Sequence, residues 1–187
     1  MAKGKLFVIS GASGVGKSTV LSIVMKERED LSFSVSATTR EPRPGEQEGV
    51  HYYFISKEQF EAMIADNAFL EYDNHNKNYY GTPIAQLEEK LEHGHVILDV
   101  EPVGAKNVKT KRPDAKLIFV MPPSMEELER RLRSRGDTSD EQIQIRLDRA
   151  KWEMDQRSWY DHEVINNDVR ACADQILNII AQVVDEK

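Results

Sequence analysis

The apolar positions of this chain fall into short continuous runs separated by stretches of helical spacing. Leu6-Phe7-Val8-Ile9, His95-Val96-Ile97-Leu98-Asp99-Val100 and Lys116-Leu117-Ile118-Phe119-Val120 are nearly unbroken, as expected of strands covered on both faces. Ser32-Phe33-Ser34-Val35-Ser36 alternates and reads as a further strand, and Val164-Ile165 is a shorter candidate. Between them, Val20, Leu21, Val24 and Met25 recur at helical spacing, as do Cys172, Ile176, Ile180 and Val184 near the carboxyl end. Strand and helix therefore alternate, which predicts an α/β fold with a parallel sheet flanked by helices.

Two segments break the alternation. Ser36 to Pro83 is rich in Tyr, Asn, Pro and Gly and holds short extended pieces such as His51-Tyr52-Tyr53-Phe54-Ile55, so it reads as an insert at the binding edge of the sheet. Pro122 to Met154 is highly charged and opens on Pro122-Pro123-Ser124-Met125-Glu126-Glu127, a capping box behind two prolines. With 187 residues, the chain has the length of one domain with inserts. The expected core covers about 1–35, 84–125 and 155–187, with an insert at about 36–83 and a helical segment at about 126–154.

A net charge of -7 disfavours nucleic acid as the main partner, because neutralising a phosphate backbone takes a basic face. The amino-terminal apolar run is too short for a secretory or membrane segment, so the expectation is a soluble, cytoplasmic chain with no membrane partner. The single cysteine, Cys172, sits on an apolar helix face and reads as core. His51, His75, His93, His95 and His162 lack zinc-site spacing, and Gly94 between His93 and His95 suggests a solvated strand entry. Trp152 and Trp159 are expected to pack the charged segment and the last helices.

The chemistry is concentrated in Gly11-Ala12-Ser13-Gly14-Val15-Gly16-Lys17-Ser18-Thr19, which satisfies G-x-x-x-x-G-K-[ST] between a strand and a helix. Such a loop turns its N–H groups onto phosphate oxygens at a helix start; Lys17 adds a charge, and the Ser18 hydroxyl faces Mg²⁺. Asp99 ends an apolar strand, where it either joins the metal shell or caps a helix. Glu101 follows on the same side. Arg40 and Arg43, stiffened by Pro42 and Pro44, suit bidentate contacts to a second phosphate; Tyr79-Tyr80-Gly81-Thr82 and Glu71 offer further polar groups.

These blocks, together with Val35-Ser36-Ala37-Thr38-Thr39-Arg40-Glu41-Pro42-Arg43-Pro44-Gly45-Glu46, Pro122-Pro123-Ser124 and Arg131-Leu132 through Arg135-Gly136, resemble the guanylate kinase family nearly end to end. The resemblance implies transfer of the γ-phosphoryl of ATP to GMP and dGMP with Mg²⁺, an inserted mixed α/β GMP-binding region at 36–83 and a moving lid at 126–154. It implies GMP-phosphate contacts from Arg40, Arg43, Tyr52 and Tyr80, guanine contacts from Ser36, Glu71, Thr82 and Glu101, and a supporting Glu46. Arg135 and Arg146 match the arginines that close over the transferring group beside Lys17, and Asn166 falls where the family contacts adenine. The chain departs from the family at Glu101-Pro102-Val103-Gly104, where Asp, a bulky residue and Gln commonly precede Gly. A non-catalytic peptide-binding scaffold of the same fold is the alternative function. A nucleic-acid surface at Arg130, Arg131, Arg133 and Arg135 is a further one.

Overall fold

The structure is a computed structural model that describes residues 3–75, 77–134 and 139–186. The strands Leu6–Gly11 (β1), Leu31–Phe33 (β2), Ala37–Thr38 (β3), Tyr53–Phe54 (β4), Phe69–His75 (β5), Asn78–Pro83 (β6), His95–Asp99 (β7), Lys116–Met121 (β8) and His162–Ile165 (β9) form two sheets. The helices are Lys17–Glu27 (α1), Lys57–Ala65 (α2), Ile84–His93 (α3), Pro102–Lys111 (α4), Met125–Ser134 (α5), Asp140–Asp155 (α6) and Val169–Asp185 (α7).

The larger sheet is wholly parallel in the order β2-β7-β1-β8-β9. Successive side chains of a strand point to opposite faces, which is why its apolar runs are continuous. Phe7, Ile9, Ile97, Ile118 and Val120 face the helices α1 and α7, where Val20, Leu21, Val24, Cys172, Ile176 and Ile180 are buried. Leu6, Val8, Val96, Leu98, Leu117 and Phe119 face the other way, onto α3 and α4 through Leu87, Leu91, Ala105 and Val108. Each buried aliphatic side chain of this kind contributes roughly 1.5–3 kcal/mol relative to exposure.

The smaller sheet, β4-β3-β6-β5, mixes one parallel and two antiparallel pairings. It is held by a separate aromatic cluster in which Phe60 stacks on Phe69 at 4.2 Å and on Tyr79 at 5.0 Å between ring centres. Ser56 starts α2 as a full capping box with Gln59.

Three expectations are corrected here. The strand expected over 32–36 ends at Phe33: Ser34 makes one last N–H bond to Ile97 O at 2.8 Å, and the chain then crosses to the smaller sheet. His95 is not a solvated histidine, because its Nδ1 accepts the Lys5 N–H at 2.9 Å and its ring lies edge-on to Phe7. Trp152 on α6 is 48% exposed, so it is not one of the buried residues that hold the helices together. Among the described residues, no helix is long and apolar enough to cross a membrane.

Candidate active site

The loop between β1 and α1 borders a cavity of about 520 Å³ lined by Gly11 to Thr19, Asp99, Val100, Glu101, Arg146, Arg149 and Glu153. Its shape depends on Gly14, whose φ of 86° lies in the left-handed region and whose Cβ would stand 2.7 Å from the Leu132 side chain. The loop is propped from outside as well. Asn166, 1% exposed, donates its amide to Val15 O at 2.8 Å, and Glu153, 3% exposed, accepts the Ser13 N–H at 2.6 Å. The side-chain amide expected at adenine thus places one donor on the underside of the loop, while its Oδ1 is buried without a hydrogen-bond partner, and Asn166 is not among the lining residues.

Lys17 pairs with Asp99, and burial pulls its pKa down to about 8. Asp99 does not cap a helix: α4 begins three residues later at Pro102, with Glu101 at its N-cap. Among the described residues, no three acidic, His or Cys side chains gather to hold a metal by themselves. The available donors are the Ser18 hydroxyl and the Asp99 carboxylate on the rim of the loop cavity. Such hard oxygens fit a Mg²⁺ ion that draws its other ligands from nucleotide phosphates and water.

A second cavity of about 310 Å³ shares Asp99, Val100 and Glu101 with the first, so the two meet along the end of β7. Ser36, Tyr52, Glu71, Tyr80 and Glu101 line it, as do Tyr72, Asp73, Val103 and Asn107. Glu71 is buried, accepts the Thr82 hydroxyl at 2.6 Å, and burial raises its pKa above the usual carboxylate value. Gly104 allows this approach, since a Cβ there would lie 3.2 Å from Glu71 Oε2.

At the outer end, Glu46 clamps Arg40 through two hydrogen bonds of 2.9 and 3.0 Å and accepts the Arg43 N–H at 2.7 Å. The Arg40 guanidinium beside it holds the Glu46 carboxyl down to about 2. Arg40 lies 5.4 Å from the Tyr52 ring centre, and Tyr52 meets Tyr80 edge-on at 6.0 Å. Arg43 projects into solvent.

Arg146 and Arg149 lie three apart on α6 and both face the loop cavity, whereas Arg135 lies outside the described residues. Arg149 pairs with Glu101, so the carboxylate expected at a base is engaged by the charged segment. Arg149 and Glu153 escaped the sequence reading, although their i,i+4 spacing on a helix was a visible signal. The arginine run on α5 is neutralised locally: Arg130 and Arg131 pair with Glu127, and Arg133 pairs with Glu129 and Asp140. Among the described residues, each arginine of that run has an acidic partner.

The family model for guanylate kinase matches residues 3–183. A guanylate kinase of Fusobacterium nucleatum is 46% identical over 181 residues, covering 96% of this chain and 97% of that one. One of Prochlorococcus marinus is 45% identical over 177 residues, 94% and 96% of the two chains. The crystal structure of guanylate kinase from Anaplasma phagocytophilum covers 100% of this chain and 88% of its own, with a TM-score of 0.74 at 32% identity. Matched along nearly its whole length in sequence and in fold, the chain belongs to the guanylate kinase family.

Proposed function

We propose that the loop cavity takes ATP, that the second cavity takes GMP or dGMP, and that the γ-phosphoryl passes between them where the cavities meet. The chain is an ATP:GMP phosphotransferase of its family, and the observation that carries the residue assignment is the shared wall at Asp99, Val100 and Glu101. A phosphate cradle on one side and a carboxylate–hydroxyl pair on the other leave only the junction for the transfer.

Phosphoryl transfer needs in-line placement and dispersal of charge rather than a covalent intermediate. Gly11 to Thr19 hold the donor phosphates through backbone N–H groups, and Lys17 leaves Asp99 for them. Arg40, Tyr52 and Tyr80, with Arg43 at the rim, hold the acceptor phosphate. Glu71 accepts from the N1–H and 2-amino groups of guanine, with Thr82 fixing its orientation and Ser36 beside it. Adenine lacks that pair of donors and leaves a buried carboxylate unpaired, at a cost of about 1–3 kcal/mol or more. Arg146, with Arg135, disperses charge on the moving group. Ser18 and Asp99 are the residues that would hold Mg²⁺, which would supply neutralisation of phosphate charge there.

We take residues 36–83 as the GMP-binding insert and 126–154 as the lid, within one domain. Both substrates belong to the cytoplasm, where we place the protein. The scaffold alternative is disfavoured because Lys17 and Arg146 are present and face the loop cavity. The test is a panel of nucleoside monophosphates with ATP and Mg²⁺, scored by ADP release. Turnover with GMP and dGMP alone supports the reading; equal turnover with several bases overturns the guanine assignment, and no turnover leaves the scaffold.

A further inference from the structure

Arg149 has no part in the mechanism above, yet its position is more constrained than that of Arg146. Its Nε donates to Glu153 Oε1 at 3.2 Å, and its guanidinium pairs with Glu101. Glu153 in turn accepts the Ser13 N–H of the loop, and burial raises its pKa, with Arg149 the cation beside it. Arg149 is therefore tied on one side to the rim of the phosphate cradle and on the other to the wall that both cavities share.

The Glu101 tie is a poor structural fastening. The Glu101 side chain is 62% exposed and that of Arg149 is 40% exposed, and ion pairs so open to water hold little. It does, however, show that the Arg149 guanidinium reaches the wall that both cavities share. Arg146 shares its helix face, one turn back, so the lid helix offers two guanidinium groups to the same cavity. A polyphosphate carries several negative charges and planar oxygen pairs that a guanidinium fits, so it displaces a single exposed carboxylate. Glu153, nearly enclosed, keeps the Arg149 stem in place during the exchange.

The geometry points to Arg149 as a further catalytic residue that reaches the transferring phosphoryl group at the junction, with Glu101 as the residue positioning it rather than a guanine contact. This deepens the ATP:GMP reading and rests on it. It also accounts for the departure at 101–104. A glutamate is one methylene longer than the family's aspartate; here that carboxylate meets the lid, and Val103 puts an apolar side chain at the position where the family carries an amide.

The experiment is steady-state kinetics on the full chain, comparing wild type with Arg149→Ala, Arg149→Lys, Glu101→Gln and Glu101→Asp, each first checked for a cooperative thermal transition. Removing one transition-state donor lowers kcat by about 10²-fold. Arg149→Ala is expected to show that loss with KM for GMP and ATP within about threefold. Arg149→Lys, which keeps the charge without the fork, and added guanidinium on Arg149→Ala each restore part of kcat. Glu101→Gln lowers kcat by about tenfold and leaves KM for GMP and the choice of GMP over AMP unchanged, and Glu101→Asp recovers part of kcat. If Arg149→Ala keeps kcat within twofold, or if Glu101→Gln raises KM for GMP and relaxes base choice, the inference is overturned while the functional reading stands. Absence of GMP phosphorylation by the wild-type chain overturns both.

Discussion

The Glu71 carboxylate and the Thr82 hydroxyl stand 2.6 Å apart on neighbouring antiparallel strands, both nearly sealed from water. Thr82 has spent its proton on Glu71, so Glu71 faces the cavity as an oriented acceptor. Replacing it by glutamine swaps an acceptor pair for one acceptor and one donor. Glu71→Gln should cut the preference for GMP over AMP by about 10²-fold. Unchanged selectivity removes Glu71 from the base site.

The same carboxylate predicts a pH dependence. Burial raises its pKa, so it takes up a proton at a higher pH than an ordinary glutamate as the medium is acidified. Protonated Glu71 no longer accepts from both guanine donors. KM for GMP should therefore climb as pH falls, with the rise beginning above the usual carboxylate range, while KM for ATP stays flat across it. A parallel rise in both constants points to another group.

Burial holds Lys17 at a cost in stability. Its folded pKa of about 8 lies below the ordinary 10.5, so the unfolded chain binds this proton more tightly. Between those values the unfolded state carries more protons, and stability due to Lys17 rises with pH. Lys17→Met should raise the nucleotide-free Tm at neutral pH, by up to ~3 kcal/mol of stability less what the lost Asp99 pair contributed. The gap to wild type should shrink towards pH 10.5, and turnover should be lost throughout. A variant that melts lower than wild type at pH 7 contradicts this.

Gly14 packs the loop against Leu132 of α5. A Cβ there combines a left-handed backbone with an overlap at Leu132, so Gly14→Ala should cost about 1–3 kcal/mol and weaken ATP more than GMP. The second substitution Leu132→Ala removes the overlap but not the backbone strain, so it should restore part of the ATP affinity. Chemical denaturation and KM for ATP, measured on both variants, separate the two terms.

Asn166 distinguishes a support from a contact. Asn166→Ala removes the donor to Val15 O and leaves that carbonyl unpaired in a buried place. Stability should fall by about 1–3 kcal/mol, and KM for ATP should rise. The ratio of ATP to GTP use should hold. Relaxed donor choice without loss of stability restores the adenine contact implied by the family resemblance.

The local period of apolar residues was enough to find the parallel strands, because each of β1, β7 and β8 is buried on both faces along a run of three to five consecutive residues. The phosphate loop was legible for the same reason, its glycines, lysine and hydroxyls being adjacent in sequence. The hairpin of β5 and β6 was not. Its strands mix Tyr, Asp, Asn and Thr, since one end faces the aromatic cluster and the other a wet cavity.

What the sequence determined by itself was thus the cradle for a triphosphate, the layered sheet around it and, by resemblance, the reaction. Only the tertiary structure decided which groups meet at the junction. Ser13 and Glu153 are 140 positions apart, and the Asn166 amide reaches Val15 across 151. The sheet order β2-β7-β1-β8-β9 brings the ends of β1, β7 and β9 together, and the packing of α6 over them sets Arg149 against Glu101. No period of 2 or 3.6 residues encodes such meetings, because they depend on how whole elements stack.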